Sequence, residues 1–254
     1  MIYTDIKNGR FYNEDCFDAM REIPDGVIDM IMCDLPYGTT QNKWDSVLPL
    51  DKLWAEYRRV CKDNAAIVLC GTEPFSSHMR LSNLKNFKYD WIWNKTLSTG
   101  FLNSKKRPLK IFELISVFYK EQPTYNPQMW ESKPMNTVYK STATETTNYG
   151  KTAPTDNKRI NTTERFPIDI ININQMPNNS NEKIGHPTQK PVALFEYLIK
   201  TYTNEGELVL DNTAGSGTTA IAAINTNRKW VCIEKDKDYY DKAIDRIEKH
   251  VITA

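Results

Sequence analysis

The chain comprises 254 residues, 40% hydrophobic and 26% charged, with a formal net charge of +1, which suits one globular α/β domain with an insertion, or a domain and a half. Near-neutral charge excludes a global field for a polyanion, so any such partner must meet a local patch. Five scattered cysteines (Cys16, Cys33, Cys61, Cys70, Cys232) form no Cys-x-x-Cys pair, and His78, His186 and His250 lie far apart, which argues against a zinc site or a disulfide framework. No apolar stretch approaches the roughly 20 residues of a membrane span, and Met1-Ile2-Tyr3-Thr4-Asp5 lacks the basic start of a signal peptide. The expectation is a cytoplasmic protein without a resident metal.

In chain order, the first informative element is the apolar run Val27 to Cys33, bounded by Pro24-Asp25-Gly26 and Pro36. It is too short for a typical helix and reads as a buried strand. Asp34-Leu35-Pro36-Tyr37 follows at its carboxyl end. Pro36 keeps Leu35 extended, with its carbonyl out of any helical ladder. The Asp34 carboxylate and the Leu35 carbonyl can then accept two hydrogens of an exocyclic amino group while Tyr37 stacks on its ring. A strand ending in a proline turn with a capping Asp reads equally well from these four residues alone.

Between Lys85 and Lys110 there are seven basic residues (Lys85, Lys88, Lys95, Lys105, Lys106, Arg107, Lys110) against one acid, Asp90. Such a surplus can contact phosphates. Tyr89, Trp91 and Trp93 alternate as in a strand and belong to the core, and Thr99 to Ser104 reads as a loop over a site. Residues 122–185 are rich in Thr, Asn and Pro and poor in apolar periodicity, as a recognition insert or a polar linker would be. His186-Pro187-Thr188-Gln189-Lys190-Pro191 opens a helix whose apolar residues Val192, Leu194, Phe195, Leu198 and Ile199 recur at helical spacing.

Glu207 to Leu210 reads as a strand, Asp211 to Thr219 as a glycine turn, and Ala220 to Ile224 as a helix. Strand, glycine turn and helix form a nucleotide-cofactor geometry. A further strand, Lys229 to Ile233, ends at Glu234, about 20 residues past the turn, where a ribose-binding acid is expected. Gly215-Ser216-Gly217-Thr218-Thr219-Ala220 lacks the third glycine of the dinucleotide pattern and there is no Gly-Lys-Ser/Thr. Neither a nicotinamide cofactor nor a P-loop nucleotide is favoured.

Together these segments resemble the β group of the S-adenosylmethionine-dependent DNA amino-methyltransferases, over nearly the whole chain. Asp34-Leu35-Pro36-Tyr37 is similar to their Asp-Pro-Pro-Tyr motif. Asp211 to Thr219 is similar to their Asp-Pro-Phe-Ala-Gly-Ser-Gly-Thr-Thr loop, and His186 to Pro191 matches their His-Pro-Thr-Gln-Lys-Pro segment unchanged. Asn13-Glu14-Asp15-Cys16 resembles their adenosine-contacting Gly-Asp-Cys, and Trp93-Asn94-Lys95 with Phe118-Tyr119-Lys120 resembles the paired strands that close their sheet. Two departures stand out: Leu35 replaces the first proline, and Asn212-Thr213 replace Pro-Phe.

The resemblance implies a doubly wound, mostly parallel Rossmann-like sheet with an antiparallel edge hairpin and a circularly permuted motif order. Residues 1–120 and 186–254 form the methyltransferase domain and 121–185 the target-recognition insert. Asp34, Leu35, Pro36 and Tyr37 are the implied catalytic residues. S-adenosylmethionine is the implied cofactor, with Glu234 on its ribose and Asp15 and Cys16 at the adenosine. Thr188 and Lys190, with Asp34 and the loop residues Asp211, Asn212, Thr213, Gly215, Ser216, Gly217, Thr218 and Thr219, complete its site. Lys95, Asn103, Lys105, Lys106 and Arg107 are the implied contacts to double-stranded DNA.

Family members with Asp at the first motif position usually methylate adenine N6, and those with Ser cytosine N4, so Asp34 points to adenine. A C5-cytosine enzyme needs a nucleophilic cysteine, usually after proline, and no Pro-Cys pair exists. The alternatives are an N4-cytosine enzyme, or a cofactor- and DNA-binding module weakened by Leu35. A homodimer and a cognate restriction endonuclease are further partners that the family suggests.

Overall fold

The computed structural model describes residues 2–40, 42, 45–142, 144–146, 150–152, 154–176, 185 and 188–253. The first half of the chain runs β1 (Ile2–Ile6), β2 (Gly9–Asn13), α1 (Cys16–Arg21), β3 (Ile28–Cys33), α2 (Leu50–Val60), β4 (Cys61–Gly71), α3 (Phe75–Ser82), β5 (Phe87–Thr99) and β6 (Lys110–Phe118). There follow β7 (Trp130–Ser141), β8 (Thr144–Thr146), β9 (Gly150–Thr152), β10 (Thr155–Arg165) and β11 (Ile170–Asn172). The carboxyl-terminal part is α4 (Val192–Tyr202), β12 (Leu208–Asp211), α5 (Thr218–Asn225), β13 (Lys229–Glu234) and α6 (Lys237–Thr253). Met1–Asn126 with Asp169–Ala254 forms one compact unit and Pro127–Ile168 a second.

The larger unit is built on a nine-stranded sheet in the order β1-β2-β13-β12-β3-β4-β6-β5-β11. Strands β2, β13, β12, β3 and β4 pair in parallel. β6 is antiparallel to β4 and β5, and β1 to β2. The β5–β6 pair is not outermost, because β11 adds in parallel along Ile92 to Asn94. Within that pair, Trp93 lies opposite Glu113 and Phe87 opposite Phe118. The Trp93–Lys95 segment therefore lies midway along the hairpin and Phe118 at its open end, not across from one another.

The two-residue period of the strands divides the core. In β3, Ile31 and Cys33 join a cluster with α1, α2 and α3, whereas Met30 and Met32 join another with α4. In β12, Leu210 faces the first cluster and Val209 the second. A third cluster packs α5 and α6 on Phe11, Trp230 and Cys232. Buried on both faces, these strands read as the near-continuous apolar runs expected of a covered parallel sheet.

In the smaller unit β7 and β10 pair antiparallel from Trp130↔Arg165 to Ser141↔Thr155, with register shifts at Arg159/Thr162 and Thr162/Glu164. β8 and β9 form a second antiparallel pair. The sequence named no strands in this stretch. Main-chain pairing between largely polar strands leaves no hydrophobic period to detect.

Candidate active site

The cleft follows from the strand order. β3 and β12 are parallel neighbours, with Leu210 beside Ile31. The chain leaves β3 toward α2 on one face of the sheet and leaves β12 toward α5 on the other. Such a switch opens a crevice at the carboxyl ends of the strands. Asp34 is the first residue past β3 and Asp211 the last of β12. The Thr213 hydroxyl donates to the Asp34 carbonyl at 3.2 Å and lies 3.0 Å from the Cys33 Sγ, tying the two strand ends together. The resulting cleft of about 860 Å³ is lined by Asp15, Cys16, Asp34 to Tyr37, Thr188, Lys190, Asp211 to Ala214, Ser216, Thr218 and Glu234. That volume lies within the roughly 300–1,000 Å³ range of small-molecule sites.

At the β3 end the polar groups form a compensated cluster. Lys190 Nζ donates to Asp34 Oδ2 at 2.6 Å and lies 3.3 Å from Glu113 Oε2, while Lys95 Nζ donates to Glu113 Oε1 at 3.2 Å. The Tyr37 hydroxyl donates to Asp34 Oδ1, and its ring lies 5.1 Å from that of Phe75, with the Lys190 ammonium 5.7 Å from the ring centre. Lys190 and Lys95 are buried, and the Asp34 side chain is 20% exposed. Two carboxylates and two ammoniums thus neutralise each other in a partly dry site, the arrangement that buried charge requires. Burial raises the Asp34 carboxyl above its ordinary value, outweighing the Lys190 ammonium. Burial opposes the charge on Lys190 as well, but Asp34 and Glu113 prevail and hold it protonated. The Glu113 carboxyl, in spite of burial, is lowered by Lys190 and Lys95.

Sequence reasoning missed Glu113. Its signal is an acid inside the apolar strand run Ile111-Phe112-Glu113-Leu114-Ile115, a position that is destabilising unless it is paired. Lys190 lines the cleft and joins its two ends. Its side chain engages Asp34 and Glu113, and only its carbonyl meets the glycine loop, accepting from the Thr218 hydroxyl at 3.3 Å.

At the β12 end Asp211 organises the loop. Its Oδ1 accepts the Thr213 N–H at 3.1 Å and its Oδ2 the Thr219 hydroxyl. Gly215 and Gly217 both have positive φ, 48° and 73°, and Gly217 caps α5 where a Cβ would meet Ile247 at 3.0 Å. Gly215, Gly217 and Thr219 therefore shape the loop, while Asn212, Thr213, Ser216 and Thr218 line the cleft. Arg246 of α6, another residue not foreseen, donates to the Ser216 carbonyl at 2.9 Å and to the Thr218 hydroxyl at 3.1 Å. The departure at Asn212 has a partner: its Oδ1 accepts the buried Tyr57 hydroxyl at 2.6 Å. A polar contact from α2 thus buttresses the loop where the family motif has a proline.

Glu234 ends β13 beside this loop. Its Oε2 accepts the Gly215 N–H at 2.9 Å and its Oε1 the Asp236 N–H at 2.7 Å. A carboxylate offers about four acceptor positions, so both oxygens retain capacity for a vicinal pair of hydroxyls. Asp15 caps α1 by accepting the Phe17 N–H at 3.0 Å and takes a 3.1 Å contact from Lys235. Burial pushes the carboxyls of Asp211 and Glu234 up to about 6, and the Cys16 thiol up to about 11.

A family model described as DNA methylase, of the N6/N4 methyltransferase type, matches residues 28–245. The chain belongs to this family. The DNA adenine methyltransferase YhdJ of Escherichia coli (strain K12) is 27% identical over 268 residues, covering 96% of this methylase and 87% of the relative. Among solved structures, the M1.HpyAVI–SAM complex is 25% identical, with a TM-score of 0.63 over 94% of this chain and 98% of that one. PvuII DNA methyltransferase, described as cytosine-N4-specific, shares the fold at 16% identity, with a TM-score of 0.67 over 97% and 91% of the two chains.

The methylase departs from expectation at Lys95. This residue is 6% exposed and its ammonium is paired with Glu113 in the cleft wall, so it is not a surface contact for backbone phosphate. Lys105, Lys106 and Arg107 are exposed in the connection from β5 to β6, and Asn103 is half-buried there. His186 and Pro187 lie outside the described residues. Among the described residues no group of His, Cys, Asp or Glu is arranged to hold a metal ion, and no helix is long and apolar enough to cross a membrane.

Proposed function

We propose that this methylase transfers the methyl group of S-adenosylmethionine to N6 of an adenine turned out of double-stranded DNA. The observation that carries the reading is the placement of Asp34 and Leu35 in one cleft with Glu234. β12 lies between their strands, which separates an amino-accepting end from a diol-accepting end by about 10 Å. The donor set fits the cofactor: Glu234 suits the ribose hydroxyls, Asp15 and Cys16 flank it, and the loop from Asp211 to Thr219 faces the remainder. When bound, S-adenosylmethionine supplies an electrophilic methyl on a sulfonium that leaves as a neutral thioether.

The chain's own residues handle the amino group. An adenine amino nitrogen is a poor nucleophile because its lone pair is delocalised into the ring. Asp34 Oδ1 or Oδ2 and the Leu35 carbonyl, which lies beyond the β3 ladder, accept its two hydrogens and draw it toward sp3 geometry. Asp34 already takes one donor on each oxygen, and the capacity left on a carboxylate admits a third. Its raised pKa lets Asp34 hold the proton that the amino nitrogen sheds. Turning out the base costs a few kcal/mol, and stacking on the Tyr37 ring returns about 1–3 kcal/mol. The Pro127–Ile168 unit, rich in Thr with several Asn and Lys, is assigned the reading of the DNA sequence through base edges.

Incubation with labelled S-adenosylmethionine and unmethylated mixed-sequence DNA, followed by digestion to nucleosides, is expected to yield N6-methyladenine. N4-methylcytosine would overturn the base assignment, and cofactor binding with no label in DNA would favour a non-catalytic module.

Two further results are expected. Hydroxyls are best accepted by ionised Glu234, so cofactor affinity measured by calorimetry should fall as pH drops through about 6, and Glu234→Gln should flatten most of that dependence. Asp211 titrates in the same window and accounts for any slope that persists. The sign for the ligand-free fold is opposite. Both folded-state pKa values are raised, so their contribution to stability is present below the unfolded values near 4 and is lost as pH rises through about 6. The second result concerns Lys105 and Lys106. Replacing both with Ala should weaken DNA affinity alike on all sequences and reduce the salt slope by about 2; an altered sequence preference at unchanged salt slope would contradict their phosphate role.

A further inference from the structure

The connection from β5 to β6 ends in two large apolar side chains with little around them among the described residues. Phe101 is 78% exposed and Leu102 98%. Their backbone is nevertheless ordered by local hydrogen bonds. Gly100, at φ 87°, opens a 3-10 turn over Phe101–Asn103. The Asn103 N–H donates to the Gly100 carbonyl at 2.9 Å, the Ser104 N–H to the Phe101 carbonyl at 3.0 Å and the Arg107 N–H to the Asn103 carbonyl at 3.0 Å. At the base Thr99 pairs with Lys110, and its hydroxyl donates to the Lys110 carbonyl at 3.2 Å. A fixed turn therefore presents apolar surface to solvent, which marks an interaction site more often than chance.

Charge and position indicate the occupant. From Thr96 to Phe112 there are four cations, Lys105, Lys106, Arg107 and Lys110, and no acid; all four are exposed. A second copy of this chain would bring two such cationic tips together. A duplex offers them phosphates outside and a stacked apolar interior within, matching both kinds of side chain. The turn also adjoins the cleft: Thr99, two residues before Phe101, lines it, as does Lys95 on the same strand.

We infer that Phe101 and Leu102 form an apolar wedge that enters the DNA stack beside the target adenine and fills the space the base vacates. Lys105, Lys106, Arg107 and Lys110 hold the flanking phosphates. The wedge rests on the DNA-methylation reading above, and adds to it the group that keeps the base from returning. Inserted apolar side chains unstack base steps in this way in architectural DNA-binding proteins.

The test maps the site modified by the wild type on unmethylated plasmid DNA, then compares two synthetic duplexes of that site. One is fully paired; the other has an abasic residue opposite the target. Leu102→Ala and the double variant Phe101→Ala/Leu102→Ala change only exposed side chains. On the paired duplex they should lower kcat/KM by about tenfold or more, and on the abasic duplex, where the base is already unpaired, remain within about twofold of wild type. Equal loss on both duplexes, or none on the paired one, overturns the wedge. A change in oligomeric mass on Leu102→Ala reveals a contact between copies and also overturns it. Absence of methyl transfer by the wild type to any DNA overturns the underlying reading instead, so the two failures are distinguishable.

Discussion

Asp34→Ala is expected to lower methyl transfer by about a thousandfold, the upper end of what one oriented polar group contributes at a reacting centre, while cofactor affinity stays within about threefold. The variant removes the acceptor for the target amino group and the nearest base for its proton, but leaves the diol-accepting end at Glu234 intact. Lys190 keeps Glu113 within 3.3 Å but then shares that carboxylate with Lys95, so the variant also loses some stability and its rates are compared on protein whose fold is checked by circular dichroism. Asp34→Asn separates charge from shape: it retains one acceptor oxygen but neither the negative charge nor the basicity, and should lose most of the rate as well. Single-turnover rates with saturating cofactor, beside calorimetric binding of the cofactor, decide the matter. Near-normal turnover in Asp34→Ala would sink the catalytic assignment.

Glu113→Gln should be the most damaging change to stability in the cleft. It leaves Lys95 and Lys190, both buried, facing only the Asp34 carboxylate. Breaking one partner out of a buried ion cluster typically costs about 3–5 kcal/mol, which would appear as a lowered urea midpoint at pH 7. The sign with pH follows from the lowered Glu113 carboxyl. Its contribution is present above the ordinary value of 4.5 and is lost as pH falls through its lower folded value, so the gap between wild type and variant should narrow only in acid. Lys95→Met in the same chain restores charge balance and should recover much of the loss. An unchanged midpoint in Glu113→Gln, or no recovery in the double variant, would show that the pairs carry little.

The elements nearest the chemistry were legible in sequence because their causes are local. Pro24-Asp25-Gly26 and Pro36 bracket β3, so Asp34 had to fall at a strand end. Gly215 and Gly217 take positive φ in the loop between β12 and α5, which glycine adopts without a steric penalty. The β7–β10 pairing was not legible, since main-chain bonds between polar strands leave no hydrophobic period. Nor was the partner of Asn212, because Tyr57 lies 155 positions earlier.

Lys95 and Lys190 show the same division. In sequence each is a cation in a suggestive place, one within a basic run and the other within a recognisable segment. Only the tertiary structure brings Lys190 to both Asp34 and Glu113, and Lys95 to Glu113, so that the four charges form one chain of ion pairs. The sequence by itself determined the residue types, the strand ends and the glycine turn, and hence the family and the kind of group each end of the cleft accepts. The tertiary structure alone decided which charges neutralise which, because burial makes pairing obligatory and pairing depends on distances across elements far apart in the chain.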